Sequence, residues 1–266
     1  MMLVQLTFSS VGRLPLAPDE AGRRRVLHAL GRVAPGRVVL FALVDDHLHI
    51  AIYCEEARIG PISRSLLLAL RSVCRADLNP AHRSAIRDRA HLETLVRYFL
   101  TQPAHHGLLE HPALTTGSCF AELVGARVVP GLGLCLSEVM PRFRLRAAFP
   151  HVGLPEAPIR PATDEAVHAA GAARLVAAVA AAAACGPVLD GHTSEHVAAR
   201  IVAAEVARAG EVDAAELADA LAITPRALRR IAERTASAPL VRATRVRLAL
   251  EDAATAAALA RAGAAR

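Results

Sequence analysis

The chain contains no tryptophan and no lysine, and aromatic residues make up only 3% of its 266 residues. All 31 of its cationic side chains are therefore arginines, against 25 Asp and Glu, which gives a formal net charge of +6. A GC-rich coding bias is sufficient to explain the missing lysines. Arginine nevertheless makes bidentate contacts with phosphate wherever it clusters. The basic balance is thus compatible with a nucleic-acid partner.

Paired cysteines and long hydrophobic runs are lacking as well. The five cysteines are widely spaced and form no Cys-x-x-Cys pair, which argues against a zinc knuckle and indicates reduced, buried thiols. The longest apolar run, 175–185, has 11 residues and as a helix would span about 16 Å, short of a ~30 Å bilayer core. The N-terminal residues show no signal-peptide pattern. We therefore expect a cytoplasmic, nucleoid-associated protein without a membrane partner.

Charge and composition vary along the chain and predict two domains. Residues 1–150 hold 18 Arg against 12 acidic residues, 151–212 hold 4 against 7, and 213–266 hold 9 against 6. Proline, glycine and arginine are concentrated in 128–163, and the pattern after Thr163 is helical throughout. We predict a domain over 1–127, a linker over 128–163 and an all-helical domain over 164–266.

The first domain alternates strand and helix patterns in the order β-α-β-β-α-β-α. The expected strands lie near 4–8, 38–44, 47–54 and 85–87, and the expected helices near 19–33, 62–74 and 91–102. Pro61 is expected to open the second helix and Pro103 to stop the third. This order predicts an α+β fold: a ferredoxin-like antiparallel sheet with helices packed on one side. An all-α helix-turn-helix domain follows it.

Two histidines and a tyrosine are the main candidates for chemistry. His47 and His49 project from the same face of a strand, because side chains alternate along it. Tyr98 and Gln102 share one face of a helix, since residues four apart lie together. If this helix packs beside that strand, two imidazoles and a carboxamide oxygen could hold a divalent ion next to a phenol. Tyr53 is the competing tyrosine, but it lies about 13 Å along the strand from His49.

The His-hydrophobic-His pair followed by Tyr-x-x-x-Gln resembles the single-tyrosine HUH endonucleases, especially insertion-sequence transposases and their REP-associated tyrosine transposase relatives. The surrounding residues add to the resemblance: the tyrosine helix leads into Gln102-Pro103, and Gly-Leu-Leu follows at 107–109. The similarity covers roughly 1–127, under half the chain.

This resemblance implies metal-dependent nicking and strand transfer of single-stranded DNA, often beside a hairpin. Tyr98 would be the nucleophile, forming a 5′-phosphotyrosine intermediate, with His47, His49 and Gln102 as metal ligands. Two imidazoles favour Mn, Zn or Ni over Mg, whereas the resemblance implies Mg or Mn, so Mn satisfies both arguments. Some relatives act as homodimers and others as monomers, and both states stay open for this chain.

A second motif, at 214–234, fits a helix-turn-helix. Thr224 suits an N-cap and Pro225 the first helical turn. The following helix would present Arg226, Arg229 and Arg230 to the major groove of duplex DNA. Ala222 occupies the position where glycine often makes the turn.

Two other functions stay open. A non-catalytic DNA-binding regulator derived from a transposase would keep the fold and lose the cutting activity. An RNA-binding module would need aromatic stacking residues on its sheet, which a 3% aromatic content supplies poorly.

Overall fold

The computed structural model describes residues 1–106, 110–156 and 159–264. The Gly-Leu-Leu segment at 107–109, two residues of the expected linker at 157–158 and the last two residues of the helical domain lie outside this description. The chain forms two compact units. The first consists of Met1–Leu123 with Val129–Ala157, and the second of Val124–Val128 with Pro158–Arg266.

Four strands form one antiparallel sheet in the first unit. They are β1 Met2–Ser9, β2 Val38–Leu43, β3 His47–Cys54 and β4 His82–Ala85, in the spatial order β2-β3-β1-β4. Strand β1 is central and pairs with β3 and β4, while β2 pairs with β3 at the edge of the sheet. Since β2 and β3 are joined by a short turn, the other connections cross over the sheet. The molecule is therefore an α+β protein.

The helices of this unit are α1 Glu20–Val33, α2 Glu56–Val73, α3 Arg89–His105, α4 Phe120–Leu123 and α5 Leu136–Val139, with 3-10 helices at Val11–Arg13 and Leu145–Val152. Helix α2 begins before the Gly60-Pro61 pair that was expected to open it. The apolar stripe that it buries already starts at Ile59 and continues through Ile62 and Leu66. Packing along that stripe carries the helix through Pro61. Helix α3 likewise continues two residues past Pro103.

Both faces of the sheet are covered. Leu48, Ile50 and Ile52 are fully buried on one face of β3. On the opposite face, the rings of Tyr98 and Phe99 lie 5.2 and 5.9 Å from the ring of His49. Helices α1 and α2 pack against each other, and α2 contacts β1, whereas α3 contacts β2. Helix α3 therefore covers the histidine face, which the sequence pattern had left open.

Most of the stretch expected to be a linker packs in the first unit. The Cys135 amide donates to the Val38 carbonyl at 2.8 Å, and Phe149 packs edge-on against Phe120 with ring centroids 5.3 Å apart. Leu132 and Leu136 are also buried. The elements here are short and bury one to three apolar side chains each, so they leave no strand or helix periodicity in the sequence.

The second unit is all-helical. Its helices are α6 Asp164–Ala182, α7 Ser194–Ala209, α8 Ala214–Ala220, α9 Pro225–Ala232 and α10 Ala238–Ala264. Alanine, valine and leucine form its core, so the helices approach closely. Helix α6 is long and apolar enough to cross a membrane by length and composition alone. It packs against α7, α8 and α10, with Val167, Leu175 and Val179 fully buried, as a core helix of this unit does.

Candidate active site

The candidate site forms where β1 and β3 run side by side. In this antiparallel pair Thr7 lies directly opposite His49 and Ser9 opposite His47. Gln5 lies two residues before Thr7, so its side chain shares the histidine face. The hydrophobic positions between them, including Leu48 and Ile50, fix the register, because a one-residue slip would bury the polar set in the core.

His49 is the centre of this arrangement and is only 6% exposed. Its Nε2 lies 3.0 Å from the Tyr98 hydroxyl oxygen. Its Nδ1 lies 3.0 Å from Thr7 Oγ1 and 3.3 Å from the Gln5 amide nitrogen. The structure thus brings the predicted tyrosine to one of the two predicted histidines, at hydrogen-bond distance.

The orientation of the Gln5 side-chain amide determines which ring nitrogen of His49 carries the proton. An amide nitrogen can only donate, so with Gln5 as placed Nδ1 accepts and Nε2–H donates to the Tyr98 oxygen. Turning the amide by half a rotation places its oxygen at Nδ1, which then carries the proton and leaves the Nε2 lone pair free. The Thr7 hydroxyl serves either arrangement, because it both donates and accepts. Only the second arrangement makes Nε2 of His49 a metal ligand.

His47 is held by the neighbouring carboxylate. Its Nδ1 lies 2.6 Å from Asp46 Oδ1, so the imidazole donates from Nδ1, and in the neutral ring Nε2 is the acceptor. A carboxylate behind an imidazole is the arrangement that orients histidines bound to metals. The His47 ring lies 4.5 Å from that of His49 and 5.3 Å from that of His106, at the end of α3. The histidine pair is therefore extended by a third imidazole.

Burial and neighbouring charges set the protonation states. Burial first, then the nearby His47 and His106, lower the pKa of His49 from 6.5 to about 4, so this ring is neutral at pH 7. Burial raises the pKa of the Tyr98 phenol above its usual 10.0. The hydrogen bond from His47 is the main cause that lowers the pKa of Asp46, which keeps this carboxylate ionised.

The donor chemistry of the two histidines suits a divalent cation, whereas the third ligand is less well placed. Gln102 lies one turn beyond Tyr98 and is 5% exposed, and no hydrogen bond joins its carboxamide to either imidazole in the described part of the chain. Within the same residues, no three His, Cys, Asp or Glu side chains form a metal-binding group. His47 and His49 would thus be the main ligands of a cation, and Gln102 stays the predicted oxygen ligand.

Four further side chains adjoin this pair of histidines, and sequence reasoning missed two of them, Gln5 and Thr7. Asp46 directly precedes His47 in the chain, and its carboxylate binds the imidazole. The sequence does contain a signal for Gln5 and Thr7. They are polar residues two apart on a strand, so they share one face, and this strand pairs with the histidine strand. His106 lies beside His47 because of where α3 ends, and this contact depends on tertiary packing. The competing tyrosine, Tyr53, lies opposite Leu3 near the other end of β3.

The cysteines take no part in this site. All five are thiols outside any disulfide, and Cys54, Cys119, Cys135 and Cys185 are buried. Burial raises the pKa of the Cys74 and Cys135 thiols to about 11, which makes them poor nucleophiles at neutral pH.

The second candidate site lies on α8 and α9. Asp213 caps α8 by accepting from the Ala215 and Glu216 amides, and Thr224 caps α9 by accepting from the Ala227 amide. Between the two helices Ala222 adopts a left-handed φ of 51°, where glycine was expected. The predicted contacts Arg226, Arg229 and Arg230 are all exposed, while Leu228 faces the core. The second unit thus presents one strongly basic helix surface.

No protein-family model, curated protein or solved structure matches this chain.

Proposed function

We propose that the chain is a single-tyrosine DNA strand-transfer enzyme that nicks single-stranded DNA through Tyr98. The observation that carries the proposal is the 3.0 Å contact between the Tyr98 hydroxyl and His49, whose ring lies 4.5 Å from that of His47. These residues come from a strand and from a helix 49 positions apart in the sequence. Their meeting is what the proposed chemistry requires.

The fold supports the same proposal. We propose that the first unit is ferredoxin-like, since the order β2-β3-β1-β4 with two crossover helices is the one that a βαββαβ chain gives. Helix α3 adds a seventh element on the histidine face. A nucleophile on a packed helix and its partners on a central strand are held by rigid elements, as precise attack requires.

The reaction exchanges one phosphodiester for another. The Tyr98 oxygen attacks phosphorus, the bond from phosphorus to the 3′-oxygen breaks, and the tyrosine is left joined to the 5′-phosphate. The phenol loses a proton and the departing strand gains one as its 3′-hydroxyl. Attack by a later 3′-hydroxyl reverses the step, so neither ATP nor an oxidant is needed.

His49 positions the phenol, and Thr7 and Gln5 position His49. His47, oriented by Asp46, would hold a divalent cation (Mn or Mg) together with His49 and the predicted Gln102, and this cation would polarise the phosphate. Arginines of the first unit would track the single strand, or the strand beside a hairpin.

We further propose that α8 and α9 form a helix-turn-helix that binds duplex DNA. The caps at Asp213 and Thr224 and the left-handed turn at Ala222 support two short helices joined at a steep angle. Arg226, Arg229 and Arg230 would reach base edges and phosphates in the major groove.

Covalent adduct formation tests the nuclease. The protein is incubated with Mn²⁺ or Mg²⁺ and a pool of hairpin oligonucleotides with randomised flanks, labelled at the 3′ end so that the label stays with the 5′-phosphate. We expect a denaturant-resistant labelled adduct, which Tyr98→Phe and chelator abolish. Tyr53→Phe is the matched control and should retain it.

A non-catalytic DNA-binding regulator is the second candidate. The elevated pKa of Tyr98 and the absence of a hydrogen bond from Gln102 to either imidazole in the described chain favour it. Duplex binding without any adduct, in either metal, would support the regulator and refute the enzyme.

A further inference from the structure

A cleft of about 480 Å³ opens in the second unit, beside the proposed DNA-binding helices. It lies between the segment that follows α9, the start of α10 and one residue of α7. Arg234, Arg242 and Arg245 line it, together with Glu205 and Thr235, and Ala236 and Val241 supply apolar wall. A cleft of this volume accommodates a group larger than a single ion.

The charges around the cleft do not cancel. Glu205 is engaged with Arg208 at 2.6 Å, and Arg245 pairs with Asp164 at 2.5 Å. Arg234 and Arg242 take part in no ion pair within residues 1–106, 110–156 and 159–264. Three arginines and one glutamate thus line the cleft, and the guanidinium groups of Arg234 and Arg242 are available for an added anion.

The chemistry of the lining favours phosphate among anions. Guanidinium groups bind phosphate oxygens through paired N–H donors. Ala238, the first residue of α10, also lines the cleft, so the positive end of this helix adds to the arginine field. The apolar side of the cleft, at Ala236 and Val241, suits the sugar that accompanies a phosphate in nucleic acid.

The position of the cleft along the chain identifies the source of that phosphate. Arg234 follows Arg230 by four residues and lies just beyond the end of α9 at Ala232. From Arg226 to Ala232 the helix rises about 9 Å, which is between two and three phosphate positions along a DNA strand at ~3.4 Å of axis each. A duplex whose groove received α9 would therefore present backbone phosphates close to Arg234 and Thr235, which line the cleft.

We propose that this cleft binds a phosphate group, and that in the functional complex the phosphate belongs to the backbone of the duplex held by α9. The second half of this proposal rests on the helix-turn-helix function proposed above. Arg242 is the residue that tests this role, because it lines the cleft but lies on α10, outside the helix-turn-helix itself. It positions the duplex and reads no sequence.

The test uses the full chain and a mixed-sequence duplex of roughly 20 base pairs, titrated between about 50 and about 300 mM salt. The logarithm of the association constant K falls as the logarithm of the salt concentration rises. Arg242→Ala should reduce the magnitude of this negative slope by about one and weaken binding about tenfold near 150 mM salt. The loss should be equal for unrelated duplex sequences. Arg174→Ala is the control, since it removes one arginine of the same unit that pairs with Asp252 and lies outside the cleft.

Three further outcomes are decisive. If Arg242→Ala and Arg174→Ala have equal salt slopes, the cleft holds no backbone phosphate and the proposal falls. If inorganic phosphate or pyrophosphate, followed by calorimetry, binds the unaltered protein and not Arg242→Ala while the duplex slopes agree, the cleft is a site for free phosphate compounds, which overturns the assignment to DNA. If the unaltered protein binds no duplex, the helix-turn-helix function fails, and the phosphate titration alone then decides the cleft. Far-UV circular dichroism verifies that each variant is folded.

Discussion

Acidification should destabilise the first unit through one buried side chain. Burial and two neighbouring imidazoles lower the pKa of His49 from 6.5 to about 4. The unfolded chain therefore binds a proton at this residue below about pH 6.5, whereas the folded protein does so only near pH 4. The stabilising contribution is complete above the first value and is lost as the pH falls towards the second. The loss amounts to about 2 kcal/mol near pH 5 and about 3 kcal/mol near pH 4.

The composition of the chain supplies a selective assay. It has no tryptophan and only two tyrosines, Tyr53 and Tyr98, and both lie in the first unit. Urea unfolding followed by tyrosine fluorescence, in chelator and at about pH 7.5 and about pH 5, therefore reports on this unit alone. The pKa of Asp46 is lowered from 3.8, so this carboxylate stays ionised in both states across the window and does not contribute.

The comparison variant is His49→Gln, which keeps a polar side chain and removes the titrating group. The unaltered protein should lose about 2 kcal/mol more than this variant between the two pH values. An equal loss in both proteins would show that burial does not hold His49 neutral, and its role as the uncharged centre of the site would be refuted.

Two further pairs of substitutions test the backbone. Ala222→Gly should stabilise the second unit by about 0.5–1 kcal/mol, because a left-handed φ of 51° is unfavourable for alanine. Ala215→Gly on the exposed face of α8 should destabilise the unit by about 1 kcal/mol, because glycine is a poorer helix former than alanine. Thermal unfolding followed by far-UV circular dichroism distinguishes them, and the turn conformation is refuted if both are destabilising. Gly31→Ala would place a Cβ 2.3 Å from the Pro130 carbonyl oxygen, so it should cost the first unit about 2–4 kcal/mol or prevent folding. Gly60→Ala in α2, with nothing within 4 Å of its Cβ, should stabilise by about 0.5–1 kcal/mol, and tyrosine fluorescence during urea unfolding measures both.

The parts of the fold that follow a local rule could be predicted from the sequence. Strand β3 runs from His47 to Cys54 because one face of the segment is apolar and a turn precedes it. Helices α8 and α9 begin one residue after Asp213 and Thr224, since both caps hold the first-turn amides. Periodicity and capping act within a few residues, so they are visible in the chain itself.

The parts that depend on tertiary packing could not be predicted. Nothing local shows that Thr7 is the residue opposite His49, because that depends on the register between two strands far apart in sequence. Segment 129–157 joins the first unit through isolated contacts such as Phe149 on Phe120. The packing of α3 against the histidine face also depends on tertiary contacts, which no local rule shows.

In the proposed reaction, the contact between Tyr98 and His49 would hold the phenol in place without activating it. Burial raises the pKa of the Tyr98 phenol and, with the nearby imidazoles, lowers that of His49 to about 4, so transfer of the proton from Tyr98 to His49 is strongly uphill. An imidazole with these properties is a poor general base for tyrosine. In the proposed reaction the phenolate would therefore need positive charge that the hydrogen bond does not provide. A cation held by His47, whose ring lies 4.5 Å from that of His49, would supply it. The loss of adduct that we expect in chelator would thus follow from the difference between the pKa values of Tyr98 and His49.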